Sequence, residues 1–96
     1  MSWDHWRSFL AVLECGSLSR AADQLGLTQP TLGRHIEALE AGLETSLFVR
    51  SVRGLTPTDT ALSLRPHAQA MQSAASALVR TASAPAEALS GTIRLT

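Results

Sequence analysis

Apolar residues recur at spacings of three and four through most of the chain, and short corners interrupt them. Trp6, Phe9, Leu10 and Leu13 define one face of a first helix over about residues 3–15. Ser2 or Asp4 is suited to cap its start, and Gly16 to stop it. Ser17 is a natural N-cap for a second, two-turn helix whose stripe is Leu18, Ala21, Ala22 and Leu25, with Gly26 ending it. The paired alanines allow another helix to approach closely. A third helix starts at Thr28, with Pro30 in the first turn, where a missing N–H is harmless. Its Leu32, Ile36, Leu39 and Leu43 fall within an arc of about 60°. Arg34 points nearly opposite, flanked by Pro30, Thr31, Ala38 and Ala41, while Glu37, Glu40 and Glu44 line one shoulder.

The pattern then changes. Phe48 and Val49 suit a strand, Arg53-Gly54 a turn, and Leu55 to Thr58 a return strand, which predicts a small β-hairpin. From Thr58 to Ser83 a long Ala/Ser-rich helix follows. Ala61, Leu64, Ala68, Met71, Ala75, Leu78 and Ala82 form its continuous seam, the signature of a helix-pairing element with thin knobs and close packing. Pro66 should kink it, because proline has no N–H for the carbonyl of Leu62. Around Pro85 the chain reads as a hinge, and the final GTIRLT as the first strand of something cut short.

Ninety-six residues bound the answer to one ordinary domain or a small domain with a piece of another. Ala and Leu dominate the 45% hydrophobic fraction, and there is no Tyr, a helix-forming composition. Eight basic residues, all Arg, balance eight acids. Through Leu55, five Arg (Arg7, Arg20, Arg34, Arg50, Arg53) stand against six acids (Asp4, Glu14, Asp23, Glu37, Glu40, Glu44), a formal charge of −1. This argues against a non-specific polyanion coat, but not against a specific reader that places its charges. An all-Arg set favours planar, bidentate contacts. The single Cys15 rules out an internal disulfide and reads as a small buried or half-buried helix residue. The N-terminus lacks the regions of a signal peptide, and no apolar run is long enough for a membrane span, so the expected setting is the cytoplasm.

Two short helices, a three-residue corner and a helix with a small polar outer face make a helix-turn-helix arrangement. The N-terminal half of such a helix is narrow enough for a major groove about 12 Å wide. Its free N–H groups favour a nearby phosphate. Thr28, Gln29, Pro30, Thr31, Gly33 and Arg34 meet these needs. Arg can bind guanine O6 and N7, Gln can bind adenine, and a proline ring can touch a thymine methyl. The competing reading is an amphipathic helix whose outer face is merely solvated.

The segment SLSRAADQLGLTQPTLGRHIEALEAGLETSLFVRSVRGLTPTDTA resembles the DNA-binding module of the bacterial LysR-type transcriptional regulators almost position for position. Phe9, Ser17, Ala21, Ala22, Leu25, Gln29, Pro30, Leu32, Arg34, Ile36, Leu39, Glu40, Leu43, Leu47, Phe48, Arg50, Arg53, Gly54 and Thr58 carry the resemblance. It extends over the whole chain. It implies a mainly α fold, a winged helix-turn-helix of three helices plus a β-hairpin wing, followed by a long dimerising linker helix. The implied organisation is a DNA-binding domain over 1–58, a linker helix over 59–84, and at 85–96 a hinge with the start of an absent effector-binding domain. Gln29, Pro30, Thr31 and Arg34 would meet bases or adjacent phosphates. Ser17 and Arg20 would sit at the backbone, and Arg53 of the wing could reach a narrow minor groove. Arg50 is either a second wing contact or an ion-pair partner of Glu40, and Arg20 is either a backbone contact or simply exposed. The implied partners are double-stranded DNA and a second copy of the chain through the linker helix, with tetramers of the full-length protein. A small-molecule effector would bind only the absent domain. Three positions depart from the family pattern: Gly33 for a usual Ser, Glu44 for a usual Gly, and Ala61 for a frequent Gly.

The function read from these features is sequence-specific DNA binding by a transcriptional regulator, as a dimer on an inverted-repeat operator. The alternative is a helical dimerisation or protein-interaction module with no DNA role, suggested by the zero net charge and the Ala-rich seam. No catalytic constellation, cofactor motif or metal-ligand spacing is visible, and His35 and His67 read as surface or packing residues.

Overall fold

The computed structural model describes residues 2–52 and 54–83. The readings made for Arg53, for the hinge at Pro85 and for GTIRLT lie outside the described residues. Four helices and one hairpin follow in the order α1 (Trp3–Cys15), α2 (Leu18–Leu25), α3 (Gln29–Leu43), β1 (Phe48–Ser51), β2 (Gly54–Pro57) and α4 (Asp59–Ala82).

Side-chain caps set three of the four helix starts. The Ser17, Thr28 and Thr58 hydroxyls accept the backbone N–H of Arg20, Thr31 and Ala61 at 3.1, 3.3 and 3.2 Å. Each satisfies one of the donors that a first turn leaves orphaned. Ser2 occupies the cap position of α1 but makes no side-chain cap bond. Its carbonyl accepts from His5 and Trp6 instead. Glu44 ends α3 in the left-handed region, with φ 56°. The helix therefore stops where the family pattern would put glycine, at a backbone cost of about 1–2 kcal/mol for a residue that has a Cβ.

The core forms where the apolar stripes converge on α1, which packs against the other three helices. Phe9, Leu10, Val12, Leu32, Leu39 and Leu47 are fully buried, and Ala21 and Ala22 let α2 lie close. Phe9 meets Trp6 edge-on at 5.6 Å between ring centroids and Phe48 at 5.8 Å, which ties the hairpin to α1. The two strands are antiparallel, with Phe48 opposite Pro57 and Ser51 opposite Gly54. Gly54 has φ +108° and sits against the Gly16 carbonyl, a conformation that side-chain-bearing residues rarely adopt. Thr58 fixes the start of α4 as well as capping it. Its hydroxyl donates to the Ser46 carbonyl at 2.8 Å, and its N–H donates to the Leu47 carbonyl at 2.9 Å.

The long helix forms over nearly its predicted span and continues through Pro66 to Ala82. Its seam, however, is not one continuous pairing surface. Ala61 and Ala68 are buried in the chain's own core, and Leu64 packs against it. In the single chain this first half of the stripe is therefore covered from within. The reason is that α1 presents its own apolar face to the first half of the stripe. Further along, Ala75 is half-buried, while Met71, Leu78 and Ala82 are exposed.

Candidate nucleic-acid interface

The outer face of α3 carries a chain of hydrogen bonds that begins at its cap. The Thr28 hydroxyl donates to Thr31 Oγ1 at 2.9 Å, and Arg34 Nη2 donates to the same oxygen at 3.4 Å. The cap thus fixes the Thr31 rotamer, and Thr31 in turn holds one edge of the Arg34 guanidinium. That leaves most of the Arg34 donors facing solvent, and the residue is exposed. Gln29 and Pro30 are exposed beside it, and Thr31 and Gly33 are half-buried.

A second grouping lies where α2, α3 and the hairpin meet. Ser17, Ser19, Gln29, Arg50 and Leu55 line one groove, with Gly16 and Gly54 at its edge. Residues from three separate elements, Ser17, Gln29 and Arg50, are therefore brought together. Arg20 is exposed on α2, outside that lining.

Glu40 is not the partner of Arg50. Its carboxylate accepts the backbone N–H of Leu47 at 2.7 Å and of Phe48 at 3.4 Å, binding the end of α3 to the start of the wing. Arg50 is exposed, and among the described residues the ion pair present is Arg7 with Asp4 at 3.9 Å. The guanidinium groups of Arg20, Arg34 and Arg50 therefore stay available to an external anion.

Sequence reasoning missed a polar contact on the opposite side of α3. The buried Ser8 hydroxyl of α1 lies 2.7 Å from His35 Nδ1, and the His35 ring stands 4.8 Å from that of His5. Burial lowers the His35 pKa from its ordinary 6.5, and neighbouring His5, Arg34 and Arg7 add to the effect against the opposing pull of Asp4. A spacing rule for metal ligands could not reveal this pair, because it joins residues 27 apart in sequence. Among the described residues no group of three or more His, Cys, Asp or Glu is placed to hold a metal ion. No described helix is long and apolar enough to cross a membrane.

Comparison with known proteins gives this geometry a family. The profile of the bacterial regulatory helix-turn-helix proteins of the lysR family matches residues 3–62. A probable hydrogen peroxide-inducible genes activator of Mycobacterium avium is 43% identical over 89 residues, which are 93% of this chain and 29% of that protein. The nitrogen assimilation regulatory protein nac of Escherichia coli is 37% identical over 74% of this chain and 23% of its own length. The chain thus spans less than a third of either of these curated relatives. The oxidised form of Corynebacterium glutamicum OxyR superposes with a TM-score of 0.80 at 32% identity, covering 84% of this chain and 25% of that one. The BenM DNA-binding domain, solved with catB site 1 DNA, superposes with a TM-score of 0.78 at 34% identity, covering 88% of this chain and all of that one. With its three-helix module, hairpin wing and following helix all matched, the chain belongs to the LysR family of bacterial regulatory helix-turn-helix proteins.

Proposed function

We propose that this chain is the DNA-reading part of a cytoplasmic transcriptional regulator, and that it binds an inverted-repeat operator as a dimer. The observation that carries the reading is the outer face of α3. A capped N-terminal turn presents Gln29, Pro30 and an Arg34 held by Thr31, and no acid neutralises that Arg34 among the described residues. The likeness to a DNA-binding domain solved on its DNA supports the same reading. In it Gln29, Pro30, Thr31 and Arg34 meet bases or adjacent phosphates in the major groove. Thr28, Ser17 and Arg20 lie at the backbone, Gly33 lies against the groove wall, and Arg50 and Arg53 act from the wing.

Residues 1–58 then form the reading domain, and α4 joins two of them. The pairing surface is the distal half of α4, where Met71, Leu78 and Val79 are 40%, 72% and 63% exposed. Beside it a groove runs between Trp3 and Arg7 of α1 and Gln72, Ala75 and Val79 of α4. Two paired modules would set their reading helices on neighbouring major-groove faces, which requires a two-fold related site.

A mobility shift with a short inverted-repeat duplex, run at two salt concentrations, tests the reading. Retardation that weakens steeply with salt is expected, and no retardation at the lower salt would overturn it.

A further inference from the structure

Gly33 stands on α3 without a structural reason to be glycine. Its backbone is helical, and a Cβ built there meets no atom within 4 Å. Within a helix glycine is a cost, because alanine loses less conformational freedom on folding. The fold therefore tolerates a side chain at this position and would be firmer with one.

The position itself is informative. Gly33 lies one helical turn from Gln29 and one residue from Arg34, on the flank of α3 that faces the wing. There it lines a notch with Leu18 of α2, Ile36, Glu37 and Glu40 of α3, and Phe48, Arg50 and Leu55 of the hairpin. Glu40 is committed to the Leu47 and Phe48 N–H groups. Arg50, which pairs with no acid among the described residues, sits at the same opening. The space left by the missing side chain thus lies between α3 and the wing, with Arg50 among the residues that line it.

We propose that Gly33 is a specificity-determining residue that acts by what it leaves out: its bare backbone lets α3 seat closer to the DNA on the wing side than any side chain there would allow. This rests on the DNA-reading role of α3. A backbone without Cβ is the usual device where a chain must approach another molecule closely. The base pair facing Gly33 is then selected by fit against the helix surface, without a hydrogen bond from residue 33.

The test compares the parent chain with Gly33→Ala and Gly33→Ser. Sites are selected from a random duplex pool, and affinities are then measured on the parent's best site. Gly33→Ala is expected to raise Tm by about 4–8 °C. It should also weaken binding to the parent's site about ten-fold or more and shift preference at one position per half-site. Gly33→Ser, which carries a hydroxyl able to make its own contact, should shift the same position to a different base. Unchanged affinity and preference in both variants would overturn the proposal, as would a fall in Tm, which would show that the fold needs this glycine. Failure of the parent to select any sequence would be a different result, removing the DNA reading on which the proposal stands.

Discussion

The Glu40 carboxylate accepts the Leu47 N–H at 2.7 Å, so a residue in the last turn of the reading helix also anchors the start of the wing. Both Glu40 and Phe48 are half-buried, and Leu47 is fully buried. Removing the acceptor strands donors that water reaches poorly. Glu40→Ala should destabilise the chain by about 1–3 kcal/mol. Glu40→Gln, which keeps one oxygen acceptor, should lose less. Urea unfolding of the two variants checks this order, and equal losses would mean that the hydrogen bonds to the wing contribute nothing.

The distal half of α4 makes an assembly prediction. Leu78→Glu puts a charge on a residue that is 72% exposed in the single chain, so the folded monomer should keep its stability within about 0.5 kcal/mol. A charge in a helix-pairing seam should abolish the dimer. Sedimentation velocity of the variant is expected to show one slow monomeric species, and binding to an inverted repeat should weaken sharply through loss of avidity.

His35 gives a pH dependence of defined sign. Its pKa is lowered in the fold, mainly by burial, so the unfolded chain binds the proton more readily. The stability tied to neutral His35 is fully present above its ordinary 6.5 and is lost as pH falls from 6.5 through the lowered folded value. Tm should therefore drop through that window. In His35→Gln, which can still bond Ser8, the drop should shrink. An unchanged pH profile would contradict the assignment.

Charge placement makes a further prediction about salt. The reading module carries five Arg against six acids through Leu55, so bulk attraction is absent and binding rests on aimed contacts. If a dimer uses ~6 Arg–phosphate contacts, the slope of log affinity against log salt should be near about −5. Fluorescence anisotropy over a salt series measures it, and a slope near zero would rule out phosphate contacts as the main attraction.

Which of these features could be read before the fold was known follows from their range along the chain. Helix limits and caps are local signals: Ser17, Thr28 and Thr58 each cap a donor three residues on. The apolar arc of Leu32, Ile36 and Leu39 likewise appears in the core as predicted. In the seam of α4, a stripe at spacings of three and four says that something covers it, not what. Ala61 and Ala68 meet the chain's own α1 side, while Leu78 does not. The sequence marks Glu40 only as a shoulder carboxylate, since its partners are backbone N–H groups seven and eight residues away, which side-chain chemistry cannot announce. The Ser8–His35 pair needed two helices in contact before it could be recognised.

The central claim is that α3 reads sequence through Arg34, and the most direct test is selection of duplexes from a random pool by the parent and by Arg34→Ala. The parent should enrich a partial inverted repeat. Arg34→Ala should bind that site about 1–3 kcal/mol more weakly and lose preference at one base pair in each half. No enrichment by the parent, or identical preferences and affinities in the two proteins, would contradict the account.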